Sequence, residues 1–438
     1  MKLLIHDFSE SEWQARAKDY QKYEIISDNG TISPCVGCFG CWVKTPCRCV
    51  IKDGYDNMGE LIHRAEEVVI MSRYTYGGFS SFVKNVLDRS IGYILPFFRI
   101  YKGEMHHKPR YTEVKPMSFV IRGHELSDTD KERTNKYIEA VCKNFNGLIK
   151  EIRFEECDEN INSDCKNKKN VRDISKEKNE DIISNEINED IKGQKTLFIN
   201  CSMRGTNSNS GRFLEVISSN LKGEAESNNL SSNQNEEADS INLSLNTKED
   251  DDNNLSSNQN EEADNINLSS YLNNLDDIAK IIESSNNVVL GMPLYVDGIP
   301  AAALRLMDYL EKRKSGSGRK LYVVANMGFY ESKQIENLLG MVEDFCSKSG
   351  FEYCGGIAIG AGEMMGQVLG FGANGPGKHV YQSLLNVGSM ISNGQKFENI
   401  YTKTNKFPRF LYFAAANSGM LRSGKNNGLS KKDMLQGI

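Results

Sequence analysis

Long apolar runs are what this chain most plainly lacks. No stretch of its 438 residues approaches the roughly 18–20 apolar residues of a membrane-spanning helix. The run in "IGYILPFFRI" is short and broken by Pro96. The start, "MKLLIHDFSESEW", has one short apolar run before acidic residues, which predicts no secretory signal peptide. Long basic runs are missing too. With a formal charge of −6, neither nucleic acid nor a membrane surface is an expected partner. A third absence is a secreted disulfide framework. The eleven cysteines are odd in number and mostly clustered, which reads as reduced thiols or metal ligands in a cytoplasmic protein.

Two segments are poor in apolar groups. One covers about residues 158–194. The other, about 224–270, holds a near-exact repeat, "NNLSSNQNEEADSINLS" from Asn228 and "NNLSSNQNEEADNINLS" from Asn253. Neither can bury enough apolar surface to offset the entropy of ordering, so both are expected to be disordered, a linker and an acidic insertion. Elsewhere short β-rich runs alternate with helical ones. "KLLIHD", "YEIISD", "VVIMSR", "MSFVIRG" and "IKEIRF" read as strands of the first half, and "TLFINCS", "NVVLGMP", "LYVVANMG" and "CGGIAIG" as strands of the second. This alternation predicts an α/β chain of two doubly wound parallel-sheet domains in tandem, over 1–156 and 195–438. The halves also resemble each other. "VVIMSRYTYGGFSSFVKNVLD" (Val68 to Asp88) aligns without a gap with "VVLGMPLYVDGIPAAALRLMD" (Val288 to Asp308), matching Gly78 with Gly298 and Asp88 with Asp308. Equal spacing over this length favours a tandem duplication.

In open α/β sheets, ligands bind at the carboxyl ends of the strands. One such end carries "FINCSMRGTNSNSGRFLEVI", a strand followed by small hydroxyl and amide side chains, one arginine and a helix start. That suits a phosphate monoester, although an ordinary capped helix would use the same residue types. Two further loops, "GMPLYVDGIP" and "ANMGFYES", offer backbone groups beside aromatic or apolar side chains, a combination fitting a flat heteroaromatic ring.

These three loops resemble the phosphate loop and the two ring-contacting loops of the NAD(P)H-dependent FMN reductase family, which has the flavodoxin-like fold. In the first half "CVGCFGCW", "YTYGGFSSFVKNVLDR" and "IKDGYDNM" resemble the same family. The resemblance covers roughly 1–156 and 195–380. It implies that Ser202, Arg204, Asn207, Ser208, Asn209 and Ser210 hold the FMN phosphate. Pro293, Leu294, Tyr295, Val296, Asp297 and Gly298 would then flank the ring on one side, with Asn326, Met327, Gly328 and Phe329 on the other. The implied activity is transfer of reducing equivalents from NAD(P)H through FMN to a quinone, a flavin or another small acceptor. No acid–base residue is assigned. The alternative is a non-catalytic electron carrier.

The first half departs from the family pattern. Its loop "IHDFSESEW" has Glu10 and Glu12, which repel a phosphate dianion, and no arginine. About sixteen residues separate its first two strands, so the first crossover helix is curtailed, and Arg73 stands where Pro293 stands in the second half. The second half shows no sequence for a second strand. One half keeps the cysteines and the other keeps the phosphate loop. The two are therefore expected to form a pseudo-dimer within one chain that binds one FMN, with further homo-oligomerisation left open.

Cys35, Cys38, Cys41, Cys47 and Cys49 fall within fifteen residues. Related iron–sulfur flavoproteins bind a [4Fe–4S] cluster with such a loop, and four of these five have compatible spacing. A structural zinc and a metal-free packed loop under Trp42 are the other two readings. Smaller signals are "GFGANG", which follows no suitable strand for a dinucleotide site, and the adjacent His106 and His107. Lys84 and Asp88 stand at i,i+4 and are expected to form a solvated pair. The aromatic stretch "FPRFLYFAAANSGM" is expected to pack on a neighbouring domain or subunit.

Overall fold

The apolar runs named above become the two sheets of the protein. The computed structural model describes residues 1–157, 195–230, 264–403 and 407–437. In the first half the strands are β1 (Lys2–His6), β2 (Tyr23–Ile26), β3 (Glu67–Arg73), β4 (Ile94–Tyr101), β5 (Glu104–Pro109), β6 (Lys115–Gly123) and β7 (Gly147–Glu156). The helices there are α1 (Glu10–Arg16), α2 (Gly40–Val43), α3 (Met58–Arg64), α4 (Ser81–Arg89) and α5 (Asp128–Phe145). In the second half the strands are β8 (Thr196–Asn200), β9 (Asp264–Asn267), β10 (Asn287–Pro293), β11 (Lys320–Asn326), β12 (Glu352–Ile359) and β13 (Ile400–Tyr401). Its helices are α6 (Asn209–Leu230), α7 (Leu275–Glu283), α8 (Ala301–Arg313), α9 (Glu336–Ser349), α10 (Gly362–Val368), α11 (Lys378–Ser392), α12 (Arg409–Asn426) and α13 (Lys431–Leu435).

Both large sheets are parallel and doubly wound. The first runs β2-β1-β3-β6-β7 and the second β9-β8-β10-β11-β12-β13. Each places its first strand between the second and third, which is the flavodoxin-like order. The central strands β3 and β10 are buried nearly end to end, as helices on both faces require. Pro96 sits where the β4–β5 hairpin slips register between Ile94 and Phe98, a place that needs no N–H donor. Among the described residues no helix is long and apolar enough to cross a membrane.

Two expectations are corrected. The second half does have a second strand. β9 pairs with β8 from Leu197↔Asp264 to Asn200↔Asn267, inside the stretch expected to be disordered, and α6 runs on to Leu230. A strand reading "DNIN" carries little β-propensity, Ile266 being its one strand former; it is held by the edge of a buried neighbour. The segment 158–194 and the part of the acidic repeat over 231–263 lie outside the described residues. The Lys84–Asp88 pair forms, at 2.5 Å, but both side chains are buried rather than solvated, because α4 packs against α8 of the other half.

The halves meet through corresponding elements. Thr75↔Gly78 and Tyr295↔Gly298 close the same tight turn, with left-handed central residues Tyr76–Gly77 in one and Val296–Asp297 in the other. Gly78 and Gly298 both pack on Tyr137 of α5 and Met341 of α9, leaving no room for a Cβ. Asp88 Oδ2 accepts a hydrogen bond from Ala301 N at 3.2 Å, so the first half caps a helix of the second. In the other direction, Tyr74 Oη donates to Asp344 at 2.8 Å and Tyr76 Oη to Glu311 at 2.6 Å.

Candidate functional site

Where the two halves face each other they enclose a cavity of about 550 Å³, within the roughly 300–1,000 Å³ usual for small-molecule sites. Of the sixteen residues expected around FMN, fourteen line it. The two that do not are Asn207, exposed at the end of its loop, and Gly298, turned onto Tyr137.

One end of the cavity is polar. Strand β8 ends at Asn200, whose amide ties the following loop together, donating to Gly205 O at 2.7 Å, Ser208 Oγ at 3.1 Å and Asn267 Oδ1 at 2.9 Å. Gly205 takes φ +59°, letting the loop double back to start α6. Ser202, Ser208, Asn209 and Ser210 therefore stand at a helix N-terminus, with Arg204 beside them. The Arg204 guanidinium donates to Gly37 O of the first half, covers the Phe39 ring at 4.9 Å and lies 3.7 Å from Glu363. A wall of hydroxyls, one guanidinium and helix N–H groups fits a phosphate dianion.

The other end is apolar and aromatic. Asn326 is fixed by Ser210 Oγ at 2.7 Å, and its loop continues through Gly328, where a Cβ would meet no protein atom within 4 Å. The missing side chain leaves that wall flat. Phe39, Trp42, Phe98 and His107 also line the cavity. The Phe39 and Trp42 rings stack at 5.3 Å, and His107 packs on Trp42 at 4.6 Å and Phe329 at 5.2 Å. Trp42 is held by bonds from Nε1 to Ile91 O and Ile94 O at 2.8 and 2.9 Å. Burial pushes the His107 imidazole down to about 3, so this ring is neutral. Burial likewise raises the Tyr295 hydroxyl and the buried carboxyls Asp88 and Asp297 above their ordinary ranges. The flat, mostly apolar end fits a heteroaromatic ring, so both ends of the cavity suit FMN.

Helix α12 completes the wall. Tyr412 Oη donates to Gly328 O, Asn417 accepts from Phe98 N at 2.8 Å, and Ala415, Ala416, Gly419 and Met420 face the cavity. The aromatic stretch thus packs on its own chain, bridging the halves. Sequence reasoning missed α12, Asn144 and the aromatic wall as site residues. Phe39 and Trp42 stand in the quoted cysteine loop, where Trp42 is expected as a packing residue and neither ring as part of the site.

The five cysteines do not fit a metal. Among the described residues no three His, Cys, Asp or Glu side chains gather as a metal site. Cys49 Sγ accepts from Arg89 Nε at 3.0 Å, Cys47 Sγ donates to Gln436 O at 3.5 Å, and Cys41 is buried on helix α2. Cys38 is exposed, while Cys35 lines the cavity with its thiol pushed up to about 12 by burial. Cys47 and Cys49 are bound to other groups, and among the described residues a four-thiolate set of Cys35, Cys38, Cys41, Cys47 or Cys49 is not assembled for either a cluster or zinc. His106 and His107 diverge as well, one toward Asn144 and one toward Trp42.

No protein-family model matches the chain, and no curated protein matches it closely enough to count as a relative. Among solved structures it is similar to an FMN-dependent NADH-azoreductase from Bacillus anthracis in complex with FMN, at 16% identity and TM-score 0.29 over 46% of this chain and 100% of that one. It is also similar to the Trp repressor binding protein from Bacillus subtilis, at 16% identity and TM-score 0.27 over 45% and 96%. The fold rests on strand order and the site on its geometry.

Proposed function

We propose that the protein is an FMN-dependent oxidoreductase with one FMN per chain, seated between its two halves. The observation that carries this reading is the polarity of the cavity, a hydroxyl- and arginine-lined helix N-terminus at one end and flat apolar walls at the other. Ser202, Arg204, Ser208, Asn209 and Ser210 would hold the phosphate. Pro293 to Asp297 and Asn326 to Phe329 would flank the ring, with Phe39 and Trp42 adding aromatic surface from the first half. Bound FMN supplies the exchange of hydride between NAD(P)H and a quinone, a flavin or another small acceptor. The chain itself binds, orients and excludes water, with α12 as the covering element. The first half serves as a wall of the site, and the pairing of like elements fits a duplicated ancestor. Ten described cysteines are free, which fits a cytoplasmic setting.

The test is anaerobic FMN titration followed by NADH and NADPH oxidation with a quinone. Binding with turnover is expected. Binding without nicotinamide oxidation makes the protein an electron carrier, and no binding rejects the reading.

A further inference from the structure

One carboxyl in the cavity wall, on the loop proposed to flank the ring, offers chemistry beyond packing. Asp297 is 4% exposed and lines the cavity at φ +59°. Its counterpart in the first half is Gly77, the residue type that such a backbone favours. A side chain kept where glycine is easier is a pointer to function. Asp297 Oδ2 accepts a hydrogen bond from Asn144 Nδ2 at 2.6 Å. Asn144 Oδ1 lies 2.9 Å from His106 Nδ1, and His106 Nε2 lies 3.4 Å from Glu104 Oε2. With the amide NH₂ committed to Asp297, its oxygen must accept, which assigns a ring proton to His106 Nδ1. The carboxyl belongs to the second half, and everything that orients it belongs to the first.

We propose that Asp297 donates the proton required when the acceptor is reduced, and that Asn144 and His106 are positioning residues that hold its carboxyl toward the cavity. The inference rests on the cavity being the FMN site. The reaction balances as NAD(P)H, quinone and the Asp297 carboxylic acid giving NAD(P)⁺, hydroquinone and the Asp297 carboxylate. NAD(P)H loses a hydride, one quinone oxygen gains the Asp297 proton as the Asp297 O–H bond breaks, and the carboxylate is reprotonated from water as product leaves. Oδ2 is occupied by Asn144, so Oδ1 is the oxygen that carries this hydrogen.

The surroundings favour the neutral acid. Burial raises the Asp297 carboxyl above its ordinary range, opposed in part by the Asn144 bond and by His106, Lys84 and Lys143. Facing it are Lys84 and Asp88 on α4, Tyr137, Cys142 and Lys143 on α5, and His106 with Glu104 on β5. The Lys84 ammonium is already bound to Asp88.

D297N is isosteric, and asparagine accepts the left-handed backbone at least as well as aspartate, so the variant is expected to fold. The first readout needs no turnover. An infrared difference between wild type and D297N at neutral pH should show a protonated carboxyl band lost in the variant; a carboxylate band in its place overturns the inference. The second compares quinone with ferricyanide, which takes electrons without a proton. The quinone-to-ferricyanide rate ratio should fall about 100-fold in D297N, and an unchanged ratio overturns the inference. Asn144→Leu removes a donor that stabilises the carboxylate, so the high-pH limb of quinone reduction should move upward. An unmoved limb rejects the positioning role. Wild-type protein that binds no FMN refutes the functional reading, whereas FMN binding with an unchanged ratio refutes only the role of Asp297.

Discussion

The two halves share a strand order and a tight turn, and they part at the loop after the first strand. In the second half that loop is open and lined by Ser202, Arg204 and Ser208. In the first half the same place is filled from within. Arg122 binds Asp7 at 2.6 Å and also Glu12, while Glu12 caps the curtailed helix α1 by accepting from Ser9 N at 2.8 Å. Phe8 lies under the Arg122 guanidinium at 4.2 Å. Where the second half presents hydroxyls and Arg204 to the cavity, the first half holds an internal salt cluster, with its own carboxylates in the place proposed for a phosphate in the other. The lesson is that one scaffold edge can serve stability or ligand, and that a few residues after β1 or β8 decide which.

Breaking the salt cluster should have the largest effect. Arg122→Leu strands two partly buried carboxylates and should cost about 3–5 kcal/mol in urea unfolding. The proposed FMN affinity, set at a cavity that none of Arg122, Asp7 and Glu12 lines, should not change. A loss under 1 kcal/mol would show that the cluster is incidental.

Acid should come next. Burial lowers the His6 imidazole to about 4 and that of His107 to about 3, from an ordinary 6.5. The unfolded chain therefore binds more protons across this window. The stability of the neutral rings is complete above about pH 6.5 and is lost as pH falls toward those values, by about 1.4 kcal/mol per pH unit for each ring. Unfolding measured from pH 7.5 to 4.5 should be flatter in H107F than in wild type; parallel curves would contradict this.

Arg204→Ala tests the open loop, and should weaken FMN binding by about 10- to 100-fold, the worth of a charge-assisted hydrogen bond. Fluorescence titration reads the change, and an unaltered affinity would move the phosphate elsewhere. The smallest effect is expected at the seam. Gly37 has φ +64°, and a Cβ there would overlap the Tyr295 hydroxyl. Gly37→Ala should cost about 1–2 kcal/mol of backbone strain, and part of any further loss should be recovered in the double variant with Tyr295→Phe, which removes the hydroxyl but leaves the ring carbon Cζ 2.8 Å from the added Cβ. No recovery would show that the hydroxyl overlap contributes nothing.

The central strands were legible because parallel strands covered on both faces read as continuous apolar runs, as in "VVIMSR" and "NVVLGMP". The polar loop after β8 was legible as a cavity wall because small polar residues stood between a strand and a helix. β9 was not, since its four residues are held by pairing with β8 rather than by their own chemistry. Nor was the burial of Lys84 and Asp88, which depends on a partner helix more than two hundred positions away in the chain. The aromatic wall and α12 join the site only when the halves meet, and no local pattern states which faces will meet. The cysteines were harder to read for the opposite reason: their spacing allows a four-thiolate set, while Cys49 is bound to Arg89, Cys47 to the C-terminal tail, and no metal-binding group gathers among the described residues.

The most direct test is the FMN-to-chain ratio of the purified protein after saturation with FMN and removal of the excess. A site built once, from the open loop of one half and the wall of the other, predicts a ratio of one. A ratio of two would mean that the first half binds FMN despite Asp7, Glu12 and Arg122. A ratio of zero would remove the cavity's proposed ligand.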